Sequence, residues 1–145
     1  MSQPVILVVE DIEHDQDVLS HLLSKFDFLV KVARSSDEAI LAVREQKFAV
    51  ILMDLAMPGV DSFECMRQIK QIELDSSSQT PIIALGGHGV AEKEALAAGM
   101  DGYISKPFNP EDLRRVLLRF AYEPRRPNLK TLRPLPPEDL EIGTI

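Results

Sequence analysis

Residues 49–55 read AVILMDL: five apolar residues in a row, ending directly on an aspartate, Asp54. A strand with one solvated face alternates apolar and polar side chains. An unbroken apolar run this short suits a strand covered on both faces, as in a parallel sheet. Two other runs share the texture, VILVV at 5–9 and IIAL at 82–85. The stretches 29–33 and 102–104 predict two further strands. Helical spacing fills the intervals. Val18, Leu19, Leu22, Leu23 and Phe26 make one apolar stripe, and Ala39, Ile40 and Val43 a second, opened by Ser35 and Glu38 in capping-box spacing. Phe63, Met66, Ile69 and Ile72 make a third. Residues 91–98 make a short fourth, stopped at Gly99. A fifth starts at Asn109-Pro110 and runs through Leu113, Val116, Leu117 and Phe120. Five consecutive strand–helix units predict a doubly wound α/β domain with right-handed crossovers.

The 145 residues, 45% hydrophobic and 27% charged, suit one globular domain. Composition shifts near residue 123. Residues 1–122 carry 12 Lys and Arg against 19 Asp and Glu, the whole of the net charge of −7. Residues 123–145 are neutral and hold five of the ten prolines, so they read as a tail or linker. The Ser-rich stretch 75–79 reads as a loop. Cys65 is the only cysteine, which excludes an internal disulfide and a Cys-rich zinc site; with Met66 it fits helix packing. His14 and His21 read as surface residues. No apolar run approaches the roughly 20 residues of a membrane span, and the first residues lack a signal-peptide pattern. A cytoplasmic location is the expectation, with no membrane partner. The acidic balance argues against nucleic acid as a partner.

Ligands of an open parallel sheet sit beyond the carboxyl ends of its strands. There the first strand delivers Glu10 and Asp11, the third Asp54, the fourth Gly86-Gly87, and the fifth Ser105-Lys106-Pro107. Two carboxylates about 4 Å apart repel by roughly 4 kcal/mol at an effective dielectric of 20. Three are strained unless protonated or bridged by a cation, and a few hard oxygen ligands suit Mg²⁺. A carboxylate beside Mg²⁺ and Lys106 is placed to attack a phosphoryl group and hold it as an acyl phosphate.

The stretches ILVVEDIEHD, ILMDLAMPGVDSFE, PIIAL and AAGMDGYISKPF, in that order, resemble the receiver domain of two-component response regulators over residues 5–122. The resemblance implies a five-stranded parallel sheet of order 2-1-3-4-5 with five flanking helices, the flavodoxin-like receiver fold. It implies that Asp54 accepts a phosphoryl group from a phosphohistidine on a sensor histidine kinase or phosphotransfer protein, without being a turnover enzyme. It assigns Mg²⁺ to Asp11, Asp54 and the Ala56 carbonyl, with Glu10 acting through water. Lys106 pairs with a phosphoryl oxygen, the Lys106-Pro107 bond is cis, and Tyr103 matches the switch aromatic of an output face built from helix 4, strand 5 and helix 5. A downstream protein and a second copy of the chain are the remaining partner classes.

The sequence departs from that pattern in places. Gly86 stands where the family usually has Thr or Ser, so one phosphoryl-binding hydroxyl is absent, together with the element whose movement lets Tyr103 turn inward. The loss of one hydrogen bond to a charged group costs on the order of 1.5–3 kcal/mol. The N–H groups of Gly86, Gly87 and His88 form a candidate anion nest in its place, the other reading being a plain loop. His88 itself reads either as a phosphate contact or as a plain loop residue. Ser62 stands where Gly is usual, and the loop and helix after Gly87 are together about two residues short. A pseudo-receiver, the same fold docking partners without phosphorylation, is the second reading, motivated by Gly86. A metal-dependent hydrolase is a third, weakened by the lack of a separate acid/base partner.

Overall fold

The computed structural model describes residues 3–74, 79–87 and 90–122. The loop expected over 75–79 (apart from Gln79), His88 with its share of the anion nest, and the tail 123–145 lie outside the described residues. Strands and helices alternate along the chain: β1 Val5–Val9, α1 Glu13–Lys25, β2 Leu29–Ala33, α2 Ser36–Glu45, β3 Val50–Asp54, α3 Ser62–Ile72, β4 Ile82–Gly86, α4 Val90–Ala98, β5 Gly102–Ser105 and α5 Pro110–Tyr122. All pairings are parallel, in the order β2-β1-β3-β4-β5.

The unbroken apolar runs have the expected cause, because strand side chains alternate between two buried faces. Leu7, Val9, Ile51, Met53, Ile82 and Ala84 point to one side and pack with Ala39, Cys65, Met66, Ile69 and Ala95, from α2, α3 and α4. Ile6, Val8, Val50, Leu52, Ile83 and Leu85 point to the other and pack with Leu19, Leu23, Leu113 and Leu117, from α1 and α5. Burial raises the Cys65 thiol to about 11, so it is inert at neutral pH.

Local signals set the helix ends. Ser35 Oγ accepts from the Glu38 N–H at 3.2 Å, as the capping box requires, but the Glu38 carboxylate reaches back to the Arg34 N–H rather than to that of Ser35. Asp61 caps α3 through the Glu64 N–H. Asn109 Oδ1 accepts from Glu111 and Asp112 at the start of α5, whose first residue is Pro110. Gly99 ends α4 at φ 120°. Three strands shift by a residue at their carboxyl ends: β3 takes in Asp54, β4 Gly86 and β5 Ser105. Each of these residues still has a ladder partner, Asp54 against Leu85 and Gly86 against Ser105. Among the described residues no helix is long and apolar enough to cross a membrane.

Candidate phosphoryl-acceptor site

Strand register builds the site. Val9 lies opposite Met53, Met53 opposite Ala84, and Ala84 opposite Tyr103. Glu10 and Asp54, each one residue further on, therefore emerge side by side at the carboxyl edge. Ligand oxygens of Glu10, Asp11 and Asp54 all lie within 4.8 Å of one another. Glu10 and Asp54 are buried, while Asp11 is exposed. Lys106 reaches in from the loop after β5, and the Lys106-Pro107 bond that follows it is cis. Its Nζ lies 3.2 Å from Asp54 Oδ1, 3.5 Å from Asp15 Oδ2 and 3.7 Å from Glu10 Oε1.

The two oxygens of Asp54 are not equivalent. Oδ1 accepts from the Ala56 N–H at 2.9 Å and faces Lys106, while Oδ2 is buried without a hydrogen-bond partner. Both Glu10 carboxyl oxygens are also buried without one. Orphaned anionic oxygens are costly, so they point to a proton or cation that satisfies them. Without a cation, burial above all, and then the neighbouring Asp54 and Asp15 carboxyls, push Glu10 up to about 9, against the pull of Lys106. Asp54 goes the other way. Burial opposes its charge, but Glu10, the Ala56 N–H and Lys106 together hold it below the ordinary carboxylate value. Partial burial disfavours the Lys106 charge as well, yet Asp54, Glu10 and Asp15 outweigh this and keep the ammonium above its usual value. The metal-free pocket thus holds a protonated Glu10 beside an ionised Asp54.

A pH dependence follows for the metal-free protein. A raised carboxyl pKa means that the folded state keeps a proton the unfolded chain releases above 4.5. Its contribution to stability is complete below that pH and is lost as the pH rises through about 9. The lowered groups, Asp54 and Glu64, act only at lower pH, and the raised Cys65, Tyr103 and Lys106 only at higher pH. Thermal unfolding in EDTA at steps between pH 5 and 8.5 should show a falling midpoint, and the slope should flatten in Glu10→Gln.

Three contacts at this edge were not legible as site residues in the sequence. Asp15 is a fourth carboxylate, against Lys106. Gln16 is buried and donates from Nε2 to the Glu10 carbonyl at 2.8 Å. Ser62 is buried, and its Oγ donates to the Asp54 carbonyl at 2.8 Å. Asp15 and Gln16 sit in the first turns of α1, four and five residues past Asp11, where helical spacing returns them to the strand end.

Gly86 and Tyr103 form one arrangement. The Tyr103 hydroxyl is buried, has no hydrogen-bond partner, and lies 2.9 Å from where a Cβ on Gly86 would stand. Leu55 flanks the same space at 3.5 Å. The phenol thus occupies the room that a side chain at position 86 would take. Burial, and then the charge of Glu92, raise its pKa. Gly86 does not adopt a positive φ, so its backbone accepts a side chain and the phenol is the part that must give way. Tyr103 and Tyr122 are the only tyrosines, and there is no tryptophan. In a Tyr122→Phe background, Gly86→Val should expel the phenol: acrylamide should quench tyrosine emission more strongly, and phenol titration should return toward 10. Unchanged quenching would show that the ring keeps its place.

An acid-rimmed parallel sheet with an ammonium reaching across its carboxyl edge defines the receiver class of α/β proteins. The chain belongs to the response regulator receiver domain family, whose model matches residues 6–118. It is 38% identical over 116 residues to the transcriptional regulatory protein ResD of Bacillus subtilis, a match covering 79% of this chain and 45% of ResD. The chain thus spans less than half the length of that curated relative. Its structure resembles the receiver domain of a sensor histidine kinase from Pseudomonas aeruginosa, which holds a magnesium ion in its active site cleft: TM-score 0.73, 30% identity, 84% of this chain and all of that one. It also resembles the receiver domain of Ssk1 from Saccharomyces cerevisiae, solved with the histidine phosphotransfer protein Ypd1: TM-score 0.75, 26% identity, 83% and 90% covered.

Proposed function

We propose that this domain is a phosphoacceptor: Asp54 Oδ2 takes a phosphoryl group from a phosphohistidine on a sensor histidine kinase or phosphotransfer protein. The Oδ2–P bond forms as the P–N bond breaks, and the imidazole keeps the electron pair. The observation that carries this is the asymmetry of Asp54, anchored through Oδ1 by the Ala56 N–H and Lys106 while Oδ2 has no hydrogen-bond partner. Lys106 follows the charge that develops on the transferring oxygens, as a positioned ammonium does in phosphoryl transfer generally. Glu10, Asp11 and Asp54 fit Mg²⁺ by oxygen chemistry, by spacing and by their unsatisfied atoms, with the Ala56 carbonyl as a further candidate ligand. Mg²⁺ would supply positive charge to the transferring oxygens. Gly86 and Gly87 would offer only backbone to the phosphoryl group, and Tyr103, its hydroxyl buried beside Gly86, would be the switch aromatic next to the output face. The domain spans residues 1–122, works in the cytoplasm, and is modified once per cycle rather than turning over a substrate. The docking-only reading has Gly86 in its favour, but the retained acids and lysine gather around the Asp54 carboxylate.

The test is intact mass after incubation with Mg²⁺ and acetyl phosphate. The expected result is one added phosphoryl group that hydroxylamine removes, as it does an acyl phosphate. No addition under conditions that label an ordinary receiver would overturn the proposal.

A further inference from the structure

The parallel ladder leaves one main-chain group of Asp54 in need of a partner. The Leu55 N–H donates to the Leu85 carbonyl, so residue 55 faces β4. Alternate residues of a parallel strand face opposite neighbours, and the Asp54 carbonyl therefore faces the β1 side. The β1–β3 register stops at Val9 and Met53, one residue short of it. A buried carbonyl without a partner is costly. Ser62 Oγ takes this place at 2.8 Å, from the first residue of α3. Ser62 is 5% exposed and the Asp54 side chain 1%, so the bond is shielded from competing water. The start of α3 is itself fixed, since Asp61 caps it.

We infer that Ser62 is a positioning residue for the acceptor: its hydroxyl clamps the Asp54 carbonyl, and so fixes where Oδ2 stands relative to an incoming phosphorus. This rests on the proposed phosphoacceptor role and deepens it. Asp54 is thereby held at three points, the carbonyl by Ser62 and Oδ1 by the Ala56 N–H and Lys106. The one atom left unheld is Oδ2. Glycine at position 62, as the family resemblance expects, has no donor and leaves the carbonyl to water. Alignment is what the clamp contributes: a misplacement near 1 Å costs a transfer reaction about 10²-fold. A partial loosening costs less, on the order of tenfold.

The experiment compares wild type with Ser62→Ala and Ser62→Gly in Mg²⁺ and acetyl phosphate, below the unfolding transition of each. The maximal labelling rate should fall on the order of tenfold in both variants. Half-saturation for acetyl phosphate and Mg²⁺ affinity by calorimetry should stay within about twofold, because Ser62 touches neither. A wild-type maximal rate in Ser62→Ala overturns the inference. So does a loss confined to half-saturation or to Mg²⁺ affinity, which would make Ser62 a general packing residue. Should wild type itself accept no phosphoryl group, the phosphoacceptor reading fails first and the role of Ser62 with it.

Discussion

Asp54→Asn should accept no phosphoryl group from acetyl phosphate, under conditions that label wild type fully. Asparagine has nearly the same volume and keeps a carbonyl oxygen for the Ala56 N–H and for Lys106, so β3 should end as before. What disappears is the anionic Oδ2. An amide nitrogen has no lone pair to offer phosphorus, and no other described carboxylate has the same combination of burial, lowered pKa and contact with Lys106. Asp11 is exposed, the Glu10 carboxyl is pushed up rather than down, and Asp15 is partly exposed. The variant also loses a negative charge from the cation cluster. The rise in melting temperature that Mg²⁺ gives wild type should therefore shrink. Intact mass and paired melts with and without Mg²⁺ read both effects, and an unchanged labelling yield would move the acceptor elsewhere.

Lys106→Ala should slow labelling by about 10²–10³-fold, the range seen when one preorganised donor is removed from a transition state. Lys106 is the ammonium within 4 Å of Asp54, Asp15 and Glu10 together. Alanine leaves these acids to repel one another, and the metal-free melting temperature should fall. Lys106→Arg separates the two effects. It restores a positive charge and most of the stability, but its planar fork differs from a compact ammonium. The labelling rate should recover less than the melting temperature. Rate recovery in full would reduce Lys106 to a source of charge.

The sheet was legible because its strands are buried on both faces, a condition that writes itself into sequence as VILVV, AVILM and IIAL. Glu10 and Asp54 were legible for a related reason, as polar residues directly after such runs fall at the edge, and Lys106 was legible as a cation just beyond the shorter strand at 102–104. Other features were not, because they depend on distance rather than on order. Nothing in the local sequence says that Ser62 reaches back eight residues to a carbonyl, or that Asp15 meets a lysine 91 residues away. The end of α1 is another case. Asp27 stands at φ 68°, and the Phe28 N–H closes on the Leu23 carbonyl at 3.0 Å, with neither Gly nor Asn present to mark the turn. The inward phenol of Tyr103 follows from the absence of a side chain at Gly86, which a sequence shows only as a missing hydroxyl.

The separation of Asp15 and Lys106 has a consequence for biosynthesis. The acids that follow β1, start α1 and end β3 leave the ribosome well before the loop after β5. A nascent chain that has released its first hundred residues carries the whole negative cluster and none of its counter-charge. The ammonium is supplied only by the segment that follows β5, so a chain stopped before residue 106 lacks the charge that offsets these acids.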